Sequence, residues 1–256
     1  MLARLAPPLL VFAGFVLLWQ LACSLLAVPA YLVPAPLRVL AAARAAARVL
    51  LEGAAWTALA ALLAFAISLA LGTLVAIAFS QSRALARSLY PYAIFLQTVP
   101  IVAVAPLLVI WFGTGLVSIV LIAVTISLFP VITNGTTGLT RVDPNYLDLF
   151  ALHRASRLQI LLKLRLPGAV PYLVTGAKIS SGLAVLGAIV GEFFAGYGPG
   201  ARGLGYLILQ YSGQLKTAEL FAAIFAATLL GLGLFAAVGL AGERVLRRFR
   251  GRERDA

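Results

Sequence analysis

The sequence contains very few of the residues that enzymes use for catalysis or for binding metals. Among its 256 residues are one cysteine, one histidine and eight acidic side chains. A single cysteine cannot form a disulfide within the chain. One histidine and scattered carboxylates provide no cluster for a metal ion and no partner for a nucleophile. The sequence therefore predicts no metal site, no cofactor and no catalytic residue.

The glycine-rich loop that holds the phosphates of ATP in many nucleotide hydrolases is also absent. That loop ends in Gly-Lys followed by Ser or Thr, and no glycine in this chain precedes a lysine. Ser180 or Ser181 could pair with Lys178 in an intramembrane hydrolase. We favour the alternative that Lys178 extends along its helix to reach the membrane surface. The sequence therefore does not indicate an enzyme.

Charged residues are scarce, at 11% of the chain, whereas 62% of the residues are hydrophobic and the mean hydropathy is +1.05. A water-soluble fold of this size could not cover so much apolar surface, but a bilayer removes that need. Each crossing helix needs roughly 20 apolar residues. The sequence predicts an all-α polytopic membrane protein, one domain over residues 1–256, with apolar runs at about 7–28, 54–79, 89–112, 116–138, 172–196 and 217–241.

Prolines interrupt the third apolar run at Pro91, Pro100 and Pro106. A broken helix at membrane depth must be buried in protein or line a wet cavity. Gln97 and Thr98 lie at this break, and Asn134 lies near the end of the fourth run. We predict that these polar residues, with Pro100, line a translocation path, although ordinary hydrogen bonding between helices is the alternative.

Residues 1–53 form the first run and the segment that follows it. The run resembles the apolar core of a signal peptide, but Gln20 occupies the place where a lipobox before Cys23 requires an aliphatic residue. We therefore favour a first transmembrane helix. Residues 37–52 have apolar and arginine-bearing faces, which predicts a short amphipathic helix at the outer interface. The remaining core is predicted to cover about 54–246.

Basic residues are concentrated in alternate loops. If the N-terminus is cytoplasmic and the chain crosses the membrane six times, roughly fourteen arginines and lysines fall inside and five outside. This count places both termini and the polar loop at 141–171 in the cytoplasm. That loop is the longest polar interruption in the chain, and it is long enough to form short helices that a soluble partner could bind.

Glu192 lies within the fifth apolar run, where a carboxylate is costly and indicates a functional site by default. We predict that it lines the path. The alternatives are an interfacial carboxylate in contact with water or a pair with Arg202. Gly182, Gly187 and Gly191 in the same run predict close packing against another helix or a second copy of the chain.

The polar loop resembles the EAA loop of binding-protein-dependent ABC importer permeases. Asp148 stands at the family's Glu position, Arg154 at its Gly position and Leu164 at its hydrophobic position, and Leu166-Pro167 complete the pattern. Leu149-Phe150 replaces Ala-Ala. Other stretches are similar to the nitrate, sulfonate and taurine branch, which includes importers of thiamine pyrimidine precursors and riboflavin-like compounds: TVPIVAVAPLLVIWFGTG, FPVITNGTTGL, LPGAVPYLVTGAKISSGLAV and GLGYLI.

This resemblance implies a permease homodimer in the bacterial inner membrane. Each copy would bind a cytoplasmic ATPase, and an extracytoplasmic binding protein would deliver a small organic solute. The coupling helix would cover about Asp148 to Ser156. The implied ATPase-coupling residues are Asp148, Leu149, Phe150, Ala151, Leu152, His153, Arg154, Ala155, Ser156, Leu166 and Pro167. The alternative is a self-contained secondary transporter or intramembrane enzyme, which would require more buried carboxylates or internal repeats than the sequence contains.

Overall fold

The computed structural model describes residues 2–197 and 202–254, and every regular element in these two ranges is helical. The prediction of an all-α protein is confirmed. In chain order the helices are α1 (Leu2–Leu25), α2 (Pro36–Ala45), α3 (Ala47–Gln81), α4 (Arg83–Thr98), α5 (Ile101–Phe112), α6 (Leu116–Thr140), α7 (Pro144–Leu152), α8 (Arg157–Ile160), α9 (Leu166–Ala195), α10 (Leu204–Gly213) and α11 (Thr217–Arg254), with a π-helical turn (Leu161–Arg165) between α8 and α9.

The predicted apolar runs correspond to the long helices. Within the described residues, the helical segments long and apolar enough to cross a membrane are Ala47–Gln81, Leu116–Thr140, Arg157–Ala195 and Thr217–Arg247. Two shorter apolar helices, Leu10–Leu25 and Ile101–Phe112, match the first run and the second half of the third. Part of the glycine-rich stretch after the fifth run, residues 198–201, lies outside the described residues.

The third run is two helices rather than one. Helix α4 ends at Thr98, and Val99 adopts an extended conformation because the proline that follows disfavours helical geometry there. Pro100 then caps the start of α5. The predicted interruption is confirmed at Pro100, whereas the helices continue through Pro91 and Pro106.

Small residues let the three central helices, α3, α6 and α9, approach closely. A Cβ atom added to Gly187 would lie 2.6 Å from the Cα of Ala123 on α6, and one added to Gly191 would lie 2.9 Å from the Cα of Ile119. The predicted close approach is confirmed at these two glycines. At Gly182 no described atom lies within 4 Å of the added Cβ, so this glycine does not meet another helix of the same copy.

Hydrogen bonds between buried serines join the same three helices. The Oγ atoms of Ser68 on α3 and Ser127 on α6 are 2.8 Å apart, and Ser180 on α9 donates to the carbonyl oxygen of Ser127 over 2.7 Å. Ser181 donates to the carbonyl oxygen of Lys178 at 2.7 Å. Because both hydroxyls near Lys178 are bonded to backbone carbonyls, these serines serve helix packing and not a hydrolase site.

The predicted outer amphipathic helix is shorter and packs differently. Helix α2 ends at Ala45, and residues 47–52 belong to α3 instead. Val39 on α2 is buried against Leu204 and Leu207 of α10 and against alanines of α11. Val39 therefore contacts other helices, whereas Leu37 and Leu40 on the other side of α2 are exposed, as apolar residues of a helix at an interface would be.

The fifth run belongs to a helix that begins earlier than predicted. Helical geometry runs from Arg157 to Ala195 over 39 residues, through the π-helical turn, although the sequence predicted a start near Tyr172. A π-helical turn changes the hydrogen-bond pattern locally, and here it directly precedes Pro167, which cannot donate a backbone hydrogen bond. Pro167 therefore lies inside the continuous helical segment, five residues before the predicted start at Tyr172.

Candidate functional site

Helix α7 overlaps the segment in which a coupling helix was predicted and begins four residues earlier. The Asp143 carboxylate accepts a hydrogen bond from the backbone N–H of Asn145 at 2.9 Å and caps the helix, and Pro144 takes its first position. Proline suits that position because its missing N–H would have no helical partner there. The helix thus covers Pro144–Leu152 rather than Asp148–Ser156, and His153 to Ser156 form the turn that follows.

The turn after α7 is a Schellman motif with arginine in the position that usually requires glycine. Arg154 has a φ of 49°, in the left-handed region. Its N–H donates to the carbonyl oxygen of Ala151 at 2.9 Å, and the N–H of Ala155 donates to that of Phe150 at 3.0 Å. These two bonds define the motif. At the position of the family's glycine, Arg154 therefore adopts a left-handed conformation that glycine favours.

A second cap starts α8 directly after this turn. Ser156 accepts a hydrogen bond from the N–H of Gln159 at 3.3 Å, and the Gln159 side chain accepts one from the N–H of Ser156 at 2.7 Å. This reciprocal pair is a capping box. Because both ends of the turn are capped, α7 is held in a defined position relative to the helix that continues into α9.

The surface of α7 is apolar and accessible. Leu149 is 48% exposed and Leu152 81% exposed, and Tyr146 lies one turn before Leu149 with 56% exposure. A groove of about 260 Å³ lies beside them, lined by Leu149, Phe150, His153, Ala155, Gln159 and Lys163. Of the predicted coupling residues, the half-buried ones are Phe150, Ala155, Leu166 and Pro167, and the exposed ones are Asp148, Leu149, Ala151, Leu152, His153, Arg154 and Ser156.

The base of this surface is attached to α3. Arg165, at the end of the π-helical turn, donates through Nη1 to the carbonyl oxygen of Ser80 at 2.5 Å. Ser80 lies in the last turn of α3, where free carbonyl groups favour a positive charge. Leu161 and Ala169 are buried in the same region against Ala76 and Leu139. A displacement of α7 would therefore be passed to α3 and α6 as well as to α9.

The predicted path residues are not brought together as one group. Gln97, Thr98 and Pro100 are exposed at the break between α4 and α5. Asn134 is half-buried on α6, and its amide donates to the carbonyl oxygen of Pro130 at 2.8 Å. This bond lies within α6, so it is not the hydrogen bond between helices that was the alternative for Asn134. The three residues at the break are available to a cavity or a second subunit.

Glu192 lies apart from these residues, and its side chain is enclosed. It is 2% exposed. Its carboxylate accepts hydrogen bonds from Thr57 Oγ1 on α3, at 2.8 Å to Oε1, and from the backbone N–H of Gly205 on α10, at 2.6 Å to Oε2. The expected alternatives of contact with water or a pair with Arg202 are wrong, because this burial leaves the carboxylate with neutral donors.

Several residues of this arrangement were not predicted from the sequence. Thr57 is a single polar residue in an apolar run, and Gly203 and Gly205 occur in a stretch that only the family resemblance singled out. Arg165 was counted as a loop charge. Each has a partner that is distant in the sequence, so no local pattern could have identified the pairing.

A family model described as "Binding-protein-dependent transport system inner membrane component" matches residues 68–251. A probable ABC transporter permease protein of Haemophilus influenzae is 33% identical over 91% of this chain and 93% of its own length. The formylaminopyrimidine transport permease protein ThiX of Halalkalibacterium halodurans is 32% identical over 90% and 91%. The putative aliphatic sulfonates transport permease protein SsuC of Bacillus subtilis is 29% identical over 93% and 83%.

The fold is also found in a solved structure. A chain of the MetNI methionine ABC transporter, in inward-facing conformations, aligns with a TM-score of 0.57 over 79% of this chain and 95% of that one. The aligned residues are 21% identical, so this likeness concerns the fold alone. It confirms the prediction of an ABC-importer-like helical architecture.

Proposed function

The chain belongs to the family of binding-protein-dependent transport system inner membrane components, and from this premise we propose how it couples transport to ATP. It is the permease subunit of an ABC importer, a multi-pass inner-membrane protein that is not itself an enzyme. The family implies a partner ATPase and a substrate-binding protein. Family membership decides against a self-contained secondary transporter or an intramembrane enzyme.

The exposed apolar face of α7 carries our proposal that this helix docks in a groove of the ATPase. Tyr146, Leu149 and Leu152 recur at a spacing of three residues, so they lie along one side of the helix. Large apolar side chains at the centre of an interface contribute most of its binding energy. The exposed Arg154 and Arg157 lie beside them and would meet acidic residues at the edge of the groove.

The path is proposed to lie at the broken helix between α4 and α5, where Gln97, Thr98 and Pro100 are exposed. A second copy of the permease would complete it, in the homodimer that the resemblance implies. The exposed apolar residues of α5, Val102, Ile110 and Trp111 among them, provide a surface for that copy. We leave Glu192 out of the path because its carboxylate is enclosed by α3 and α10.

The substrate is proposed to be a small organic solute, with a pyrimidine-type heterocycle favoured. The relative named for formylaminopyrimidine is 32% identical over nearly the whole chain, whereas the one named for aliphatic sulfonates is 29% identical. Alkanesulfonates, taurine, nitrate and riboflavin-like compounds are the competing candidates from the same branch of the family.

Purification of the tagged permease from native membranes tests the docking surface. We expect the ATPase to co-purify with the unaltered chain and to be lost from Leu149→Asp, because a charge would be buried in the groove without a partner. Leu215→Asp is the matched control: Leu215 is 75% exposed and precedes α11, at the end of the molecule away from α7. Retention of the ATPase by Leu149→Asp would contradict the assignment.

The same preparation tests the substrate. The binding protein that works with this permease is screened for binding of formylaminopyrimidine, an alkanesulfonate, taurine and nitrate. Tightest binding of the pyrimidine supports the proposal, and tightest binding of a sulfonate or of nitrate overturns it.

A further inference from the structure

The enclosed carboxylate of Glu192 acts as the N-terminal cap of a different helix. Gly203 is the N-cap residue of α10 and has no side chain that could accept a hydrogen bond. The first backbone N–H groups of a helix have no partner within it. Here Leu204 N–H donates to Thr57 Oγ1 at 2.8 Å, and Gly205 N–H donates to Glu192 Oε2 at 2.6 Å.

The two acceptors come from two other helices, so the cap is also a junction. Thr57 belongs to α3 and Glu192 to α9, and the Thr57 hydroxyl donates to Glu192 Oε1 at 2.8 Å. Thr57, Glu192, Gly203 and Leu204 are all nearly or fully buried. A negative charge at a helix N-terminus is stabilising because the helix dipole presents its positive end there.

The two glycines of α10 are required by this junction. A Cβ atom at Gly203 would overlap the Glu192 carboxylate, and all three of its nearest atoms belong to that carboxylate. A Cβ atom at Gly205 would lie 2.6 Å from the carbonyl oxygen of Ile189 and 2.9 Å from Glu192 Cβ. The glycine at 203 is therefore needed only because Glu192 is present, since its own φ of −74° suits any residue.

The helix that bears Glu192 extends from the coupling surface to the junction. The continuous segment Arg157–Ala195 begins one turn after α7 and covers 39 residues, which is about 58 Å of helix. Glu192 lies in its final turn. If α10 is fixed to the C-terminal end of α9, a movement of α7 would therefore displace α10 through this single continuous helix.

From this geometry we propose that Glu192 is a positioning residue, which fixes α10 to the outer ends of α9 and α3 so that α10 follows the ATP-driven movement of α9. The inference rests on the docking role proposed for α7. It replaces the predicted path role of Glu192 with a mechanical one. Thr57 is the second member of the junction, and Gly203 provides the space that the carboxylate occupies.

Two readouts on the permease–ATPase complex in lipid nanodiscs test this proposal. The first is hydrogen exchange at the backbone amides of residues 204–206. The second is the distance between spin labels at Ser212→Cys on α10 and Leu186→Cys on α9, in a Cys23→Ala background, with and without ATP. With Glu192 intact we expect slow exchange in both states, together with a narrow distribution for the distance between the two labels of one subunit.

Glu192→Ala should raise the exchange rate at these amides by roughly tenfold or more, because buried donors lose their acceptor, and should broaden the distance distribution. Gly203→Ala should by itself have the same effect, because its added methyl group would overlap the Glu192 carboxylate. In the Glu192→Ala background that carboxylate is gone, so Gly203→Ala should cause no further change. Gly182→Ala, in open space on the same helix, is the control and should change neither readout. An unchanged distance in Glu192→Ala would overturn the proposal.

A double variant separates capping from positioning. Gly203→Asp in the Glu192→Ala background supplies a local N-cap for α10 without a bond to α9. We expect slow exchange to return while the distance distribution stays broad. Recovery of the narrow distance would show that capping alone suffices and would contradict the positioning role. Failure of the ATPase to co-purify would contradict the docking proposal. Hydrogen exchange at residues 204–206 does not need the ATPase, so measured on the permease alone it would still test whether Glu192 caps α10.

Discussion

Arg154 occupies a backbone conformation that is unfavourable for every residue except glycine, asparagine and aspartate. Its φ of 49° brings Cβ close to the neighbouring carbonyl group, while the hydrogen bonds of the Schellman turn hold it there. Arginine at this position therefore costs stability that a glycine would not. The exposed guanidinium lies beside the docking face of α7, which gives the side chain a possible use at the ATPase interface.

Arg154→Gly should stabilise the permease by about 1 kcal/mol, because glycine adopts this conformation without strain. We expect a higher midpoint of thermal unfolding in detergent and weaker ATPase binding, if the arginine contacts the partner's acidic edge. Leu215→Gly is the control, since Leu215 has a φ of 55° far from α7. It should stabilise similarly and leave ATPase binding unchanged. A lower unfolding midpoint in Arg154→Gly would contradict this account.

At the scale of the helix, packing between α6 and α9 depends on where each small residue points. Gly187 contacts α6, and Gly182 on the same helix meets open space. The two glycines are five residues apart, which corresponds to about 500° of rotation, or about 140° beyond one full turn. They therefore lie on different faces of α9. The sequence indicated a small-residue helix but could not say which glycines meet a neighbour.

Gly187→Ala should destabilise the permease by about 1 to 3 kcal/mol, because the new methyl group would meet the backbone of Ala123 and the helices would have to separate. Gly182→Ala adds the same methyl group in open space and should be neutral or slightly stabilising through its higher helix propensity. Thermal unfolding in detergent measures both. Equal effects of the two substitutions would show that the close contact at Gly187 does not contribute.

The start of α9 shows how tertiary context changes an element. Hydropathy predicted a start near Tyr172 because Lys163, Arg165 and Pro167 are polar or break helices. In the folded chain Arg165 bonds to Ser80, and a π-helical turn accommodates the proline. The charged segment is therefore part of the helix, which no local pattern could indicate.

For the whole molecule, the distribution of charge predicts the orientation in the membrane. The loop that contains α7 is predicted to face the cytoplasm, and the turn before α11 the other side. The antiparallel packing of α9 and α11 agrees with this, since Gly231 contacts Val185 and Gly242 contacts Val174. Tyr146 in α7 and Leu215 in the turn before α11 are both well exposed. A chemical label at Tyr146 therefore tests the predicted cytoplasmic side, and one at Leu215 tests the opposite side.

Single cysteines at these positions test the orientation. Because Cys23 is the only cysteine, one substitution, Cys23→Ala, gives a cysteine-free background. In intact cells with a permeable outer membrane, a membrane-impermeant thiol reagent should label Leu215→Cys and leave Tyr146→Cys unlabelled until the inner membrane is opened. Labelling of Tyr146→Cys before opening would reverse the predicted topology.

The sequence by itself determined the helical class, the broken third run and the position of the polar loop at 141–171. These depend on local properties, namely the length of apolar stretches, the proline at position 100 and the concentration of charged residues in the loop. Only the tertiary structure decided the role of Glu192, because a carboxylate in an apolar helix is equally compatible with a path and with a cap. Its partners, Thr57 and Gly205, lie 135 and 13 residues away along the chain, and only folding brings their donors to one carboxylate.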